Sequence, residues 1–380
     1  MNHQPHLFVD ISSHGFGHLA QVAPILNELA GQRPDTRLTV RSGLPPEKLH
    51  SRLQCNFTHL QGRSDFGYVM LDAVRIDHAA TASAYQAQHI GWPQRVDEEA
   101  SLLRRIKPDL VLTDVAYLPL AGAARAGIPS LSMCSLNWAE LFAHFYGREP
   151  WATRIHREIL DAYSQTECFL RLTPAMAMAD LPRVRTIAPV AAIGQDCRDA
   201  LRVKLACQHD EKLLLIAFGG FDKDLSAENW PHTAGVHWLI PENWPIRRDD
   251  MTALESLGLP FTDLLRSVDA VLTKPGYGTF TEAACNGTPV IYMRRDDWPE
   301  QDCLIDWLRI NARCCEIDET ALTTGGWHEV LDELWRQPAP QRPRPVGALE
   351  VAQFIAGLLD QTGNDSVPHS QRKHLRKTTD

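Results

Sequence analysis

The chain has no C-x-x-C pair, no apolar run approaching the length of a membrane span, no internal repeat of solenoid period and no excess of positive charge. Each absence removes a class of protein. Nine cysteines without paired spacing, most of them in apolar stretches such as those around Cys134, Cys168 and Cys285, point to buried free thiols in a reducing compartment. With no signal-peptide pattern at the N-terminus and no long apolar run, the expected location is cytoplasmic, without a transmembrane segment. Net charge is 38 − 47 = −9, so a nucleic-acid partner gains no electrostatic support. The basic tail "SQRKHLRKTTD" is the exception, and it reads as a solvated, disordered end.

What remains is an ordinary globular composition, 44% hydrophobic and 22% charged, on 380 residues, which suits two domains. Strand-like and helix-like segments alternate in the first half: "RLTVRS", then "DLVLTD" after Pro108, the helix "PLAGAARAG", the strand "IPSLSMCS", the helix "WATRIHREILDAYSQ", then "CFLRL". The alternation restarts at "KLLLIAFGG" and runs through "GVHWLIP", "FTDLLRSV", "DAVLTK", "TFTEAACNG" and "PVIYM". "PAPQRPRPVG" is a stiff connector before a last helix, "ALEVAQFIAGLLD". The pattern predicts an α/β protein: two doubly wound, Rossmann-like parallel-sheet domains meeting near residue 195, with a cleft between them.

The stretch "DISSHGFGHLAQVAPILNELA" sets the first chemical question. His6 to Ile11 reads as a strand; Leu19, Val22, Ala23, Leu26, Leu29 and Ala30 repeat at helical spacing, with Gly31 expected as the stop. The glycines between them lie where ligands bind in open α/β sheets. Gly15-x-Gly17-x-x-Ala20 fits a dinucleotide fingerprint, but the acidic residue expected after the second strand is replaced by Arg41, which leaves room only for an NADP-type reading. A metal site from His14 and His18 finds no Cys, Glu or third His nearby to complete it. His18 could also simply cap or pack at the helix start. Asp114, at the end of "DLVLTD", suits an orienting partner for an imidazole and serves equally as an N-cap before "AYLPL".

The second question comes from "LTKPGYGTFTEAACNGTPVIYMRRDDWPEQ". Its turn opens a helix whose free N–H groups and positive dipole end form a seat for a phosphate, unless "GYGT" is only a tight turn. Lys274 adds charge, Gly276 and Gly278 allow close approach, Thr279 adds a hydroxyl, and Glu282 suits a ribose diol. Gly219 and Gly220, after the first strand of this half, allow approach to the same ligand.

The order of glycine turn with His, strand with Asp, and G-x-G-T-x-x-E resembles glycosyltransferases of the two-domain GT-B fold. It is most similar to the glycosyltransferase-like N-terminal region of plant L-arabinokinase and its stand-alone bacterial relatives. The matching stretches are "SHGFGH", "DLVLTDV", "AGIPSLSMCSLNW", "FGG" and "KPGYGTFTEA…PVIYMRRD", and the resemblance reaches about residue 359 without the sugar-kinase region. It implies residues 1–195 as an acceptor-side domain, 196–345 as a nucleotide-sugar domain, 346–360 as a C-terminal helix and 361–380 as the disordered tail. His18 takes the catalytic base position and Asp114 that of its orienting partner; His14, Gly15 and Gly17 lie on the acceptor side.

Gly278, Thr279 and Glu282 take the diphosphate and ribose positions, and Asp296, Asp297 and Gln301 fall near the donor-sugar positions. Arg294 and Arg295 serve phosphate or pair with the aspartates. "FDKD" contains D-x-D, but the fold implies no metal and no cofactor, so Asp222 and Asp224 are expected as turn residues. The expected activity is inverting, metal-independent transfer of a hexosyl or pentosyl group from a nucleotide sugar, a UDP-sugar by resemblance, to an acceptor hydroxyl. A non-catalytic nucleotide-sugar-binding or regulatory module, and a hydrolase or epimerase on the same fold, are the alternatives. Acceptor and oligomeric state are not legible.

Overall fold

The computed structural model describes residues 4–365, apart from 209, 219–224, 226, 245–247 and 325–326. The first seven strands are β1 (His6–Ile11), β2 (Arg37–Ser42), β3 (Thr58–Gln61), β4 (Leu110–Asp114), β5 (Ser130–Cys134), β6 (Cys168–Leu172) and β7 (Val184–Ile187). They make one sheet in the order β3-β2-β1-β4-β5-β6-β7. A second sheet holds β8 (Lys212–Ala217), β9 (Val236–Ile240), β10 (Met251–Ala253), β11 (Ala270–Thr273), β12 (Val290–Tyr292) and β13 (Cys314–Glu316). Its order is β10-β9-β8-β11-β12-β13. Every ladder in both sheets is parallel.

Strands covered by helices on both faces have no polar side, and β1, β4, β5, β9 and β11 are buried at every residue. Alternate residues sort to opposite faces. Val9 and Ile11 pack with Leu19, Val22 and Leu26 of the helix Phe16–Gln32, whereas Phe8 joins Val111, Leu103 and Ala123 on the other side. In the second sheet Leu213, Leu215 and Val271 join the same core as Val9, while Leu214, Ile216 and Leu272 pack among Trp238 and Trp327. One apolar core therefore bridges the two sheets. Each fully buried aliphatic side chain in it contributes roughly 1.5–3 kcal/mol relative to exposure.

The last helix, Gly347–Asp365, places Val351, Ile355 and Leu359 in that core, and Arg33 reaches Asp360 at 2.6 Å. It runs past residue 360, where the sequence reading placed its end; 366–380, with the basic tail, lies outside the described residues. The first helix likewise continues through Gly31 to Gln32, and Arg33 N–H closes it on the Leu29 carbonyl at 2.7 Å. Among the described residues no helix is long and apolar enough to cross a membrane.

Both strand orders follow one doubly wound scheme, with reversal points between β1 and β4 and between β8 and β11. In such sheets the crevice beyond the carboxyl strand ends at the reversal is where ligands bind. Here the two crevices meet.

Candidate active site

Gly15 has φ 99°, a conformation that side chains disfavour, and it turns the chain from β1 into the first helix within a few residues. That turn sets His18 in the first helical turn, above the end of β1. The register opposes Ile11 and Asp114, so the last residue of β4 comes up beneath the ring. His18 Nδ1 lies 3.0 Å from Asp114 Oδ2, with both side chains buried. The contact is an ion pair: Nδ1 and both carboxylate oxygens make no aligned hydrogen bond among the described residues. Burial disfavours the charged ring, but the Asp114 carboxylate outweighs it and holds the His18 pKa well above its ordinary value. Asp114 does not cap the following helix, which starts at Leu118 with Tyr117 as its N-cap and no side-chain cap bond. His18 is not a cap either, since Gly15 is the N-cap of its helix.

A third group completes this corner. A ring nitrogen of His18, a carboxylate oxygen of Asp114 and Sγ of Cys134, the last residue of β5, all lie within 4.8 Å of one another. No cysteine lies near His18 along the chain; the sheet supplies one from a strand two places away. Burial pushes the Cys134 thiol up to about 11.

Across the crevice, the helix Tyr277–Asn286 starts after β11 with Gly276 as its N-cap. Neither this helix nor Phe16–Gln32 has a side-chain cap or an acidic residue in its first turn, so their N–H groups are left for a ligand. The two helix starts touch. A Cβ on Gly278 would stand 2.8 Å from the Ala20 Cβ, so only glycine fits there. Between them lies a cavity of about 80 Å³, lined by His14, Gly15, Gly17, His18 and Gln21 on one side and Lys274, Gly276, Gly278, Thr279 and Arg295 on the other. A small-molecule site is ordinarily roughly 300–1,000 Å³, so this is a narrow cavity.

Two basic side chains, Lys274 and Arg295, line the cavity beside the Glu300 carboxylate. Burial, reinforced by Arg295, lowers the Lys274 pKa to about 7, and burial lowers Arg295 to about 10. The Arg295 guanidinium sits 3.7 Å over the Trp298 ring, and its Nε has no hydrogen-bond partner among the described residues. Glu300 is the nearby carboxylate, and it accepts from Ser135 Oγ at 2.5 Å and from Trp298 Nε1 at 3.0 Å. His14 stacks on Trp298 at 5.9 Å and receives the Tyr68 N–H on Nδ1 at 3.4 Å. Burial, then the charges of His18, Arg295 and Lys274, keep His14 well below its ordinary pKa.

Several residues singled out in the sequence stand elsewhere. Glu282, expected at a ribose, is buried one turn deeper and accepts both terminal nitrogens of Arg52, at 2.6 and 3.1 Å. Asp296 is exposed, and Asp297 pairs with His144 at 3.0 Å. Gln301 is buried and clamps the backbone of Arg295, accepting its N–H at 3.0 Å and donating to its carbonyl at 3.1 Å. Arg294 pairs with Asp302 and Glu316 rather than with the aspartates beside it.

Arg41 gives its Nε to Asp10 and both terminal nitrogens to Glu99 at 3.0 and 2.7 Å. That buried pairing leaves it no phosphate to hold, and the NADP reading fails on it. Gly219, Gly220, Asp222 and Asp224 lie outside the described residues. Sequence reasoning missed Arg52, Cys134, Trp298 and Glu300. "DWPEQ" carried a partial signal, since Trp298 and Glu300 flank a proline next to the expected donor residues.

No protein-family model matches the chain. The chain is 26% identical over 368 residues to L-arabinokinase from Arabidopsis thaliana, covering 93% of this chain and 34% of that protein. It thus spans about a third of that relative's length. Among solved structures, the calicheamicin glycosyltransferase CalG4 superposes with TM-score 0.58 at 14% identity, covering 100% of both chains. A UDP-glucosyltransferase from Polygonum tinctorium capable of glucosylating indoxyl superposes at 0.57 with 16% identity, covering 95% of this chain and 94% of its own. The fold is that of the GT-B glycosyltransferases. The crevice between the two sheets is therefore the interdomain cleft of that fold.

Proposed function

We propose that the protein transfers a sugar from a nucleoside-diphosphate sugar to an acceptor hydroxyl, with inversion and without a metal, and that the donor is a UDP-sugar. One observation carries the reading. The buried His18–Asp114 pair and the electropositive helix start at Lys274–Thr279 face each other across a single cavity at the two reversal points.

In the reaction, neutral His18 takes the proton of the acceptor hydroxyl while Asp114 steadies the imidazolium that forms. The acceptor oxygen attacks the anomeric carbon as the bond to the diphosphate breaks on the opposite side, so a single displacement inverts the configuration. The leaving diphosphate gains negative charge, which Lys274, Arg295 and the first-turn N–H groups stabilise. These groups supply the positive charge that a divalent ion supplies elsewhere. His14, neutral and stacked on Trp298, lines the acceptor side.

The test is a thermal-shift panel of nucleoside diphosphates and nucleotide sugars in chelator, followed by product analysis with any stabilising donor. Stabilisation by UDP and an acceptor glycoside of inverted anomeric configuration are expected; stabilisation by NADPH instead, or a retained configuration, overturns the reading. The tight Arg52–Glu282 contact and the small cavity favour a second reading, a nucleotide-sugar-binding module that does not turn over. Donor binding without consumption in the presence of varied acceptors would support that module. Donor consumption without an acceptor would point to hydrolysis.

A further inference from the structure

We propose that His18, Asp114 and Cys134 form a zinc site whose occupation switches the catalytic base off. The donor set is that of a three-ligand zinc centre with one open position: an imidazole nitrogen, a carboxylate oxygen and a thiolate. The distances suit it. Zinc about 2.0–2.3 Å from each ligand sets tetrahedral donor atoms roughly 3.3–3.8 Å apart; here the His18–Asp114 separation is 3.0 Å and the trio lies within 4.8 Å. Among the described residues this is the only such group of three.

A second observation points to a ligand at the same spot. His18 Nδ1 and both oxygens of Asp114 are buried without an aligned hydrogen bond, and Asp114 is 0% exposed. The carboxylate's partners here are the His18 ring and the Cys134 thiol, and a cation held by all three groups would compensate its buried charge more fully than the imidazole alone. His18 lines the cavity, which gives an ion its route from the cleft to the buried Asp114 and Cys134. Coordination expels the Cys134 proton to solvent.

The consequence rests on the reading of His18 as base. The nitrogen facing Asp114 is Nδ1. With zinc on Nδ1, the ring's remaining proton sits on Nε2, and the imidazole has no lone pair left to accept the acceptor's proton. Zinc at ten times its dissociation constant then lowers turnover about tenfold by occupancy alone.

The experiment uses the full chain after chelator treatment. Zn²⁺ is titrated in competition with a chromophoric chelator, and Co²⁺ serves as a spectroscopic probe, in wild type, Cys134→Ser and Asp114→Asn. One tightly held equivalent with a thiolate-to-cobalt charge-transfer band is expected in wild type and not in either variant, while all three keep their thermal shift with UDP. Should a variant not fold, peptide-mapped alkylation of the wild type reads the same site, with Zn²⁺ slowing labelling at Cys134. Equal zinc binding in wild type and Cys134→Ser, a cobalt spectrum without the thiolate band, or unchanged labelling of Cys134 overturns the site. Zinc bound there with turnover undiminished would leave the site standing and sink His18 as the base.

Discussion

Arg52, the last residue of the helix Pro46–Arg52 in the first half of the chain, holds Glu282 of the second half in a two-pronged ion pair at 2.6 and 3.1 Å. The contact ties the two halves together and occupies the carboxylate expected at a donor ribose. Breaking it acts in two directions. Arg52→Ala leaves a buried carboxylate unpaired, and stability should fall by about 3 kcal/mol, read by chemical denaturation. Nucleoside-diphosphate affinity should rise in the same variant, because Glu282 is released for the ligand, and calorimetry reads this. Glu282→Ala should weaken nucleotide binding by about 1.5–3 kcal/mol. Tighter binding in Glu282→Ala, or weaker binding in Arg52→Ala, would show that the pair is structural and Glu282 is not a ribose ligand.

Lys274 should make nucleotide binding pH-dependent. Its pKa of about 7 follows from burial first and then from Arg295, and a bound diphosphate favours the charged form. Affinity should therefore fall as pH rises above about 7, by at most tenfold per unit, with proton uptake on binding measurable in buffers of different ionisation enthalpy. Lys274→Met should flatten the profile. The stability sign is the opposite. Between about 7 and the ordinary lysine value the unfolded chain binds more protons at this position, so its contribution to ligand-free stability rises with pH across that window.

His18→Ala should lower turnover by about 10²- to 10⁴-fold while nucleotide affinity changes little. Asp114→Asn should act in the same direction, and the double variant should fall well short of the product of the two, because the pair works as a unit. The free-enzyme pH profile should rise through a limb above the ordinary histidine pKa, because Asp114 holds the His18 pKa up against the effect of burial. Asp114→Asn should move that limb down. By linkage, the stability that the raised His18 pKa contributes is present below the ordinary value and is lost as pH rises through the folded one. A limb that stays put in Asp114→Asn would separate the two residues' roles.

If the proposed metal-independent reading holds, UDP at about 100 times its dissociation constant should stabilise the fold by roughly 2.7 kcal/mol with chelator present. Dependence of that shift on added magnesium would overturn the electrostatic account of Lys274, Arg295 and the two helix starts.

Much of the architecture was legible along the chain because a parallel strand covered on both faces is a near-continuous apolar run, and "HLFVDI", "LVLTD" and "KLLLIA" are such runs. The glycine turn, His18, Asp114 and the Lys274–Thr279 helix start were legible for a related reason. Each sits at a strand's carboxyl end, and strand ends can be counted in sequence. Helix limits were read less well: Gly31 looks like a stop, but the Leu29 carbonyl finds its partner two residues beyond it.

The linear sequence by itself determined two doubly wound sheets and which strand ends bear the candidate site residues, because those follow from local apolar runs, turn residues and helix starts. Only the tertiary structure decided what those ends meet. Cys134 reaches His18 because β5 lies beside β4, and Glu282 turns to Arg52 because the two halves close on each other. Arg41 is consumed by Asp10 and Glu99, and Gln301 by the backbone of Arg295. Gln301 and Arg295 are near neighbours in sequence, but the other partners are tens to hundreds of residues apart, and a buried charge takes whatever partner the packed sheets bring within reach. Spacing along the chain carries no record of that choice.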